Sequence, residues 1–239
     1  MGIRQSKKWT MVCISVPCVA LGLLRFVVAQ PSAFASETSP ASSVSSDLRQ
    51  RARLLRPADH GVGRYIADIS FSELDGKQRS LSEFKDRQFV VVAMTSTSCP
   101  LSKKYLPTLV ELAKKYSAQG VQFIAVNCVP TDNADAMKSA AQSFGTTASY
   151  VYDAHENLSR HVGAMTTTDV LVLDPSRTVA YHGAIDDQYG IGYALDAPRH
   201  TFLATALDSL LAGKTPEVAA TAAPGCVLDH EAADSATTA

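Results

Sequence analysis

Three cysteines carry the side chains in this sequence best suited to make and break covalent bonds: Cys99, Cys128 and Cys226. Cys99 has the most telling setting. It follows the apolar run Phe89 to Met94 and the polar turn Thr95-Ser96-Thr97-Ser98. It precedes Pro100 and a stretch in which Leu101, Tyr105, Leu109, Leu112 and Tyr116 recur at helical spacing. A sulfur at the mouth of a helix meets unpaired backbone N–H groups and a partial positive charge, and both favour thiolate over thiol. Pro100, at the first helical position, loses nothing by lacking an N–H. Lys103 and Lys104, one turn on, add positive charge. The chemistry this predicts is nucleophilic attack by Cys99 on a disulfide or a peroxide. The competing reading is a small buried hydrophobe, which is how most free cysteines behave.

A thiolate nucleophile needs something to resolve the adduct it forms. Cys226 stands in Ala223-Pro224-Gly225-Cys226, beyond the last predicted helix, where the tail can reach back across the domain. It reads as a resolving partner for Cys99 or as a structural staple or free tail thiol. A bridge between the two closes a loop of more than a hundred residues, worth about 4 kcal/mol in the chain-entropy model. Cys128 ends the apolar run Val121 to Val129, at the same predicted sheet edge as Cys99. Its surroundings predict an inert buried thiol, with a resolving role as the alternative.

The elements that must hold these sulfurs follow from pattern. Phe89 to Met94 is long and apolar enough for a strand buried on both faces. Ahead of it, Ile66 to Leu74, Asp75-Gly76 and Arg79 to Phe84 predict a strand, a tight turn and a return into a short helix. After the Cys99 helix, Gly120 marks its end and Val121 to Val129 a second buried strand. A helix over 134–144 and a short strand over 150–152 come next, then a short helix over 155–162. Val170 to Leu173 and Thr178 to Tyr181 form a hairpin closed by Asp174-Pro175-Ser176, and Thr201 to Leu211 a terminal helix capped by Gly213. Alternating strands and helices ending in a hairpin imply an α/β fold, a central mixed sheet with helices on both faces.

The segment around Cys99 resembles the active-site segment of thioredoxin-like proteins. Pro107 falls eight residues after Cys99, where thioredoxins carry the proline that kinks their active-site helix. Residues 63–213 are similar to the redoxin and alkyl hydroperoxide reductase/thiol-specific antioxidant branch of that superfamily. The resemblance implies a thioredoxin-like fold, thiol–disulfide or antioxidant chemistry at Cys99, no cofactor, and a thiol/disulfide protein or external thiol reductant as partner. Some bacterial redoxin-like proteins look similar in ending with a Gly-Cys pair, as at Gly225-Cys226. Other positions depart from the family pattern. Ser102 stands where thioredoxins have their second cysteine, and Thr168 where they have a cis-proline. Of the peroxide-orienting groups of peroxiredoxins, Ser96 matches the hydroxyl position, but Val92 replaces the proline. The strand arginine is missing near Thr167 to Asp169, which leaves Arg160 or Arg199 as the candidates to replace it. Lys103 replaces the second cysteine of thioredoxin-fold copper carriers, and the six histidines show no ligand spacing with Cys99, so no metal is expected.

Residues 1–35 carry Arg4, Lys7 and Lys8, an apolar run from Met11 to Leu24, and Ala33-Phe34-Ala35 as a small-residue cleavage site. They predict a signal peptide, or an uncleaved anchor as the alternative, and hence an exported, periplasmic or extracytoplasmic domain that touches a membrane only through this segment. Cys13 and Cys18 lie within it, so the mature chain keeps an odd number of cysteines. Residues 36–62 read as a flexible linker with one short amphipathic helix near Leu48 to Leu55, 63–215 as the thioredoxin-like domain, and 216–239 as a tail carrying Cys226. A net charge of −1 gives no footprint for nucleic acid. Asp186 and Asp187 are adjacent, so they predict turn capping ahead of acid–base work. The overall expectation is an exported thiol oxidoreductase with Cys99 as nucleophile and Cys226 as resolving residue. The alternative is a thioredoxin-fold interaction module without catalysis.

Overall fold

A computed structural model of the chain describes residues 52–228 and His230. The expected leader (1–35) and most of the expected linker lie outside the described residues. In chain order the strands and α-helices are β1 (Arg53–Leu54), β2 (Ser70–Ser72), β3 (Gln78–Ser80), β4 (Phe89–Thr95), α1 (Pro100–Ser117), β5 (Val121–Asn127), α2 (Ala134–Phe144), β6 (Ala148–Tyr152), α3 (Asn157–Val162), β7 (Val170–Leu173), β8 (Val179–Gly183), β9 (Tyr189–Gly190), β10 (Tyr193–Ala194), α4 (Phe202–Leu211) and β11 (Thr221–Ala222). Short 3-10 turns cover Ala58–His60 and Leu81–Phe84.

The central sheet has the order β6-β5-β4-β7-β8. β4, β5 and β6 run parallel, and β7 and β8 join antiparallel. Because successive strand residues point to opposite faces, the apolar run of β4 divides between two cores. Val91 and Ala93 pack with α1, α2 and α4 through Tyr105, Leu109, Met137, Phe144 and Leu203. Val90, Val92 and Met94 pack on the other face with Phe71, Leu81, Phe84 and α3 through Leu158 and Val162. Helices therefore cover both faces, and β4 is buried on both sides, as its composition predicts.

α1 runs for 18 residues and contains Pro107. Its apolar stripe buries Leu101, Tyr105, Leu109 and Tyr116, with Leu112 partly buried against the same core. The two tyrosines also carry polar anchors. The Tyr105 hydroxyl donates toward the Asp186 and Tyr189 carbonyls, and that of Tyr116 donates to Asp208 on α4 at 2.7 Å.

Several expected elements change length. The strand over 66–74 shortens to β2, which pairs with β3 across the turn at Asp75-Gly76. The strand over 121–129 stops at Asn127, and the helix over 155–162 begins at Asn157. The expected amphipathic helix over 48–55 is corrected in its described part: Arg53–Leu54 is a strand paired antiparallel with β11. Leu54 is 65% exposed, and the segment is held by its pairing with β11. β11 crosses close to the end of β8, where Thr221 Oγ1 accepts the Ala184 N–H at 2.8 Å. A Cβ on Gly183 would collide with the Thr221 backbone, which is why glycine ends β8. Among the described residues, no helix is long and apolar enough to cross a membrane.

Candidate active site

β4 and β5 end side by side, Thr95 opposite Asn127. The loop from Ser96 to Cys99 leaves that edge and enters α1 with Cys99 as N-cap and Pro100 as first residue. The loop is held from both sides. Ser102 Oγ accepts the Ser96 N–H at 2.7 Å, and Ser96 Oγ accepts the Cys99 N–H at 3.1 Å. Asp132, beyond β5, takes the Ser96 hydroxyl at 2.9 Å, the Thr97 N–H at 2.5 Å and the Asn127 amide at 2.8 Å on one carboxylate oxygen. Burial pushes the Asp132 carboxyl up, but hydrogen bonds from Ser98, Asn127, Thr97 and Ser96 outweigh it and hold the group below the ordinary carboxylate range.

Cys99 is 4% exposed. Its sulfur accepts the Thr167 hydroxyl at 3.1 Å and the Cys226 thiol at 2.9 Å. The two sulfurs are not bonded. Burial raises the Cys99 pKa, and the Cys226 thiol, the Thr167 hydroxyl and the Ser102 and Cys226 N–H groups lower it. The lowering wins, so Cys99 is the more acidic of the pair. Cys226 is pushed up, by burial first and then by its contact with Cys99. One sulfur is thus set up to be the thiolate and the other to hold the proton.

The tail is placed by the loop before β7. Thr167 N–H donates to the Cys226 carbonyl at 2.9 Å, Cys226 N–H donates to Thr167 Oγ1 at 3.2 Å, and Leu228 N–H donates to the Met165 carbonyl at 2.9 Å. Thr168 Oγ1 donates to the Pro224 carbonyl at 2.6 Å. Thr166 and Val227 form an antiparallel bridge. The tail therefore lies as an extra strand on Thr166-Thr167-Thr168, the stretch where the family pattern has its cis-proline. Cys226 itself is exposed and Leu228 is buried.

A cleft of about 330 Å³ opens over both sulfurs, lined among others by Ser98, Pro130, Glu156 and Thr167. Cys128 also lines it but is 1% exposed. Its thiol faces the Thr95 carbonyl at 3.7 Å, and burial, then the nearby Asp153, pushes its pKa well up. The remaining sequence candidates sit elsewhere. Arg160 lies on α3 and Arg199 is exposed beside Asp187, and neither is among the residues lining the cleft. Lys104 stands over the Tyr189 ring and Lys103 lines a separate cavity of about 490 Å³. Neither lysine is among the groups that set the acidity of Cys99. Asp186 accepts the Gln188 N–H, and Asp187 accepts those of Arg199 and His200, so both cap turns. Asp132 and Thr167 were not singled out by sequence reasoning. Their only signal there is a polar residue just beyond a strand end or just before a strand.

A five-stranded mixed sheet, helices on both faces, and a cysteine at the start of the helix after the central strand define a thioredoxin-like fold. The redoxin family model matches residues 61–190, and the chain belongs to the redoxin family. Membership is consistent with thiol–disulfide oxidoreductase or peroxidase-like activity on thiol or protein substrates in general. Among solved structures, the chain is similar to a hypothetical protein from Sinorhizobium meliloti 1021 at 25% identity and TM-score 0.63, covering 74% of this chain and 96% of that one. An uncharacterized conserved protein from Geobacillus kaustophilus matches at 25% identity and TM-score 0.63, covering 76% and 95%. A peroxidoxin from Mycobacterium tuberculosis matches more loosely, at 17% identity and TM-score 0.46, covering 64% and 94%. No curated protein matches the chain.

Proposed function

We propose that the protein is an exported thiol oxidoreductase in which Cys99 attacks a disulfide of a protein or small-thiol partner and Cys226 resolves the adduct. The observation that carries this reading is the 2.9 Å approach of the Cys226 thiol to the Cys99 sulfur, with the Thr167 hydroxyl on the same atom. The Cys99 thiolate attacks one sulfur of the substrate disulfide, forms a mixed disulfide and expels the other sulfur as thiolate. Cys226, after losing its proton, attacks the Cys99 sulfur and releases the second substrate thiol. The substrate is reduced by two electrons, the protein is left with a Cys99–Cys226 disulfide, and an external dithiol or thiol pair reduces it again. No cofactor enters these steps.

Disulfides suit the site better than peroxides. The residues lining the cleft include a carboxylate, Glu156, and no arginine or lysine to polarise an O–O bond. The ledge at Thr166-Thr167-Thr168 already receives an extended cysteine-bearing segment, the chain's own tail, and a partner peptide needs the same geometry. Export is supported by the charged, apolar and small-residue pattern of residues 1–35.

The test is a thiol–disulfide assay on the mature protein with single cysteine variants. Cys99→Ser is expected to abolish reduction of a disulfide substrate, Cys128→Ser to leave it intact, and Cys226→Ser to accumulate a mixed disulfide on Cys99 visible by mass. Equal loss from Cys99→Ser and Cys128→Ser, or no trapped adduct in Cys226→Ser, removes the assignment.

A further inference from the structure

Far from one another in sequence, His60, Asp169 and His182 meet beneath the ledge that holds the tail. One ligand atom from each lies within 4.8 Å of the other two, and Asp169 and His182 are buried. The geometry points to a divalent-cation site of the zinc type, with His60 Nε2, His182 Nε2 and an Asp169 carboxylate oxygen as its protein ligands.

The argument begins with His182, which is 4% exposed on β8. Its Nδ1 faces the His60 carbonyl at 2.9 Å, and a carbonyl only accepts, so Nδ1 carries the proton. In the neutral ring Nε2 then offers a lone pair, the arrangement metal-binding histidines take when their other nitrogen donates to a backbone carbonyl. His182 Nε2 has no hydrogen-bond partner and points to the Asp169 carboxylate at 3.5 Å. A lone pair facing a buried anion is repulsive unless positive charge lies between them. His60 Nε2, also buried and without a hydrogen-bond partner, supplies a second imidazole donor. Two imidazoles and one carboxylate are a donor set that suits zinc and cobalt.

Size fits after a small contraction. A point central to three atoms no more than 4.8 Å apart lies within about 2.8 Å of each, against about 2.0–2.2 Å for zinc to nitrogen or oxygen. The two rings stack, centroids 4.1 Å apart and planes 19° apart, so a shared ion requires one ring to turn. His182 is held by its carbonyl bond and by burial. His60 is the ring that turns, being partly exposed on a three-residue 3-10 turn. Asp169 also accepts the Met165 N–H at 2.6 Å and the Thr166 N–H at 3.3 Å, so an ion here stiffens the loop on which Cys226 is aligned.

The test strips the full chain with a chelator and titrates it with Co²⁺, whose ligand-field bands report its ligands. A Cys99→Ser/Cys226→Ser variant is run in parallel to remove the thiols as competing ligands. One ion per chain is expected in both proteins, with affinity at least 10-fold weaker in His60→Ala and in His182→Gln and a raised melting temperature when Zn²⁺ is added. No stoichiometric binding up to millimolar Co²⁺, binding that disappears with those two thiols, or unchanged affinity in both histidine variants overturns the site. The first of these outcomes means that a proton alone bridges His182 and Asp169. Should His182→Gln fail to fold, His60→Ala, at the partly exposed position, decides.

Discussion

The Thr167 hydroxyl donates to the Cys99 sulfur at 3.1 Å and accepts the Cys226 N–H at 3.2 Å, while the Thr167 N–H donates to the Cys226 carbonyl. One residue thus stabilises the thiolate and aligns its partner. Thr167→Val keeps the Thr167 N–H bond to the Cys226 carbonyl and removes the hydroxyl, and with it both the donor to Cys99 and the acceptor of the Cys226 N–H. A hydrogen bond to a charged group is worth about 1.5–3 kcal/mol, so iodoacetamide alkylation of Cys99 at neutral pH is expected to slow by about tenfold or more. Unchanged alkylation would mean that Thr167 serves the tail alone.

The pH dependence follows from the opposite shifts of the two sulfurs. Cys99 is depressed, so its contribution to stability is present above the ordinary thiol pKa of about 8.5 and is lost as pH falls through its lower folded value. Cys226 is raised, so its contribution is present below the ordinary value and is lost as pH rises toward the folded one. The two partly cancel in the reduced protein. Cys226→Ala removes both the opposing group and a donor to Cys99, and the pH profile of Cys99 alkylation is expected to move to higher pH. A profile that stays in place leaves Thr167 and the helix terminus as sufficient cause.

Much of this arrangement is legible in the sequence. The apolar run 89–94, short and followed by a polar turn, predicts a doubly buried strand, and a cysteine followed by proline before a helical stripe predicts a helix entrance. Cys226 was legible as a candidate because Gly225-Cys226 follows the last helix at a distance the tail can span. What was not legible depends on pairings between distant segments. Arg53–Leu54 carries no strand pattern of its own and is a strand because β11 supplies its partner. Asp132 reads as an ordinary turn residue until the Ser96 loop is seen to hang on it. Thr168 reads as the loss of a proline, whereas in the structure its hydroxyl holds the Pro224 carbonyl.

Gly225 sets how closely the tail can lie. A Cβ there would stand 3.1 Å from Thr166 Cβ and from Thr168 Oγ1, tighter than ordinary contact, and the tail would shift outward by a few tenths of an ångström. Gly225→Ala is therefore expected to lower the equilibrium constant for the Cys99–Cys226 disulfide against glutathione several-fold. Global stability should change by about 1 kcal/mol, because Gly225 is buried against Thr166 and Thr168 but lies in the tail, outside the two cores. The measurement is a redox titration followed by thiol trapping. An unaltered constant with a lower melting temperature would show that the glycine serves packing alone.

Asp132 offers a way to separate charge from shape at the loop that presents Cys99. Its carboxylate gathers the Ser96 hydroxyl, the Thr97 N–H and the Asn127 amide on one oxygen, so in Asp132→Asn the amide oxygen can take that place, keeping the three donors and removing the charge. Hydrogen bonds to a charged group are worth about 1.5–3 kcal/mol against about 0.5–1.5 for neutral ones, so the variant is expected to be less stable by about 1–3 kcal/mol near neutral pH. Because Asp132 is held below the usual carboxylate range, its contribution is present above about pH 3.9 and is lost as pH falls through the folded value. Urea unfolding of both proteins from pH 6 downward should show the gap closing only in strong acid. A gap that is constant to the lowest pH would assign the loss to altered packing instead of charge, and the Ser96 loop would then owe its shape to the Ser102 bond.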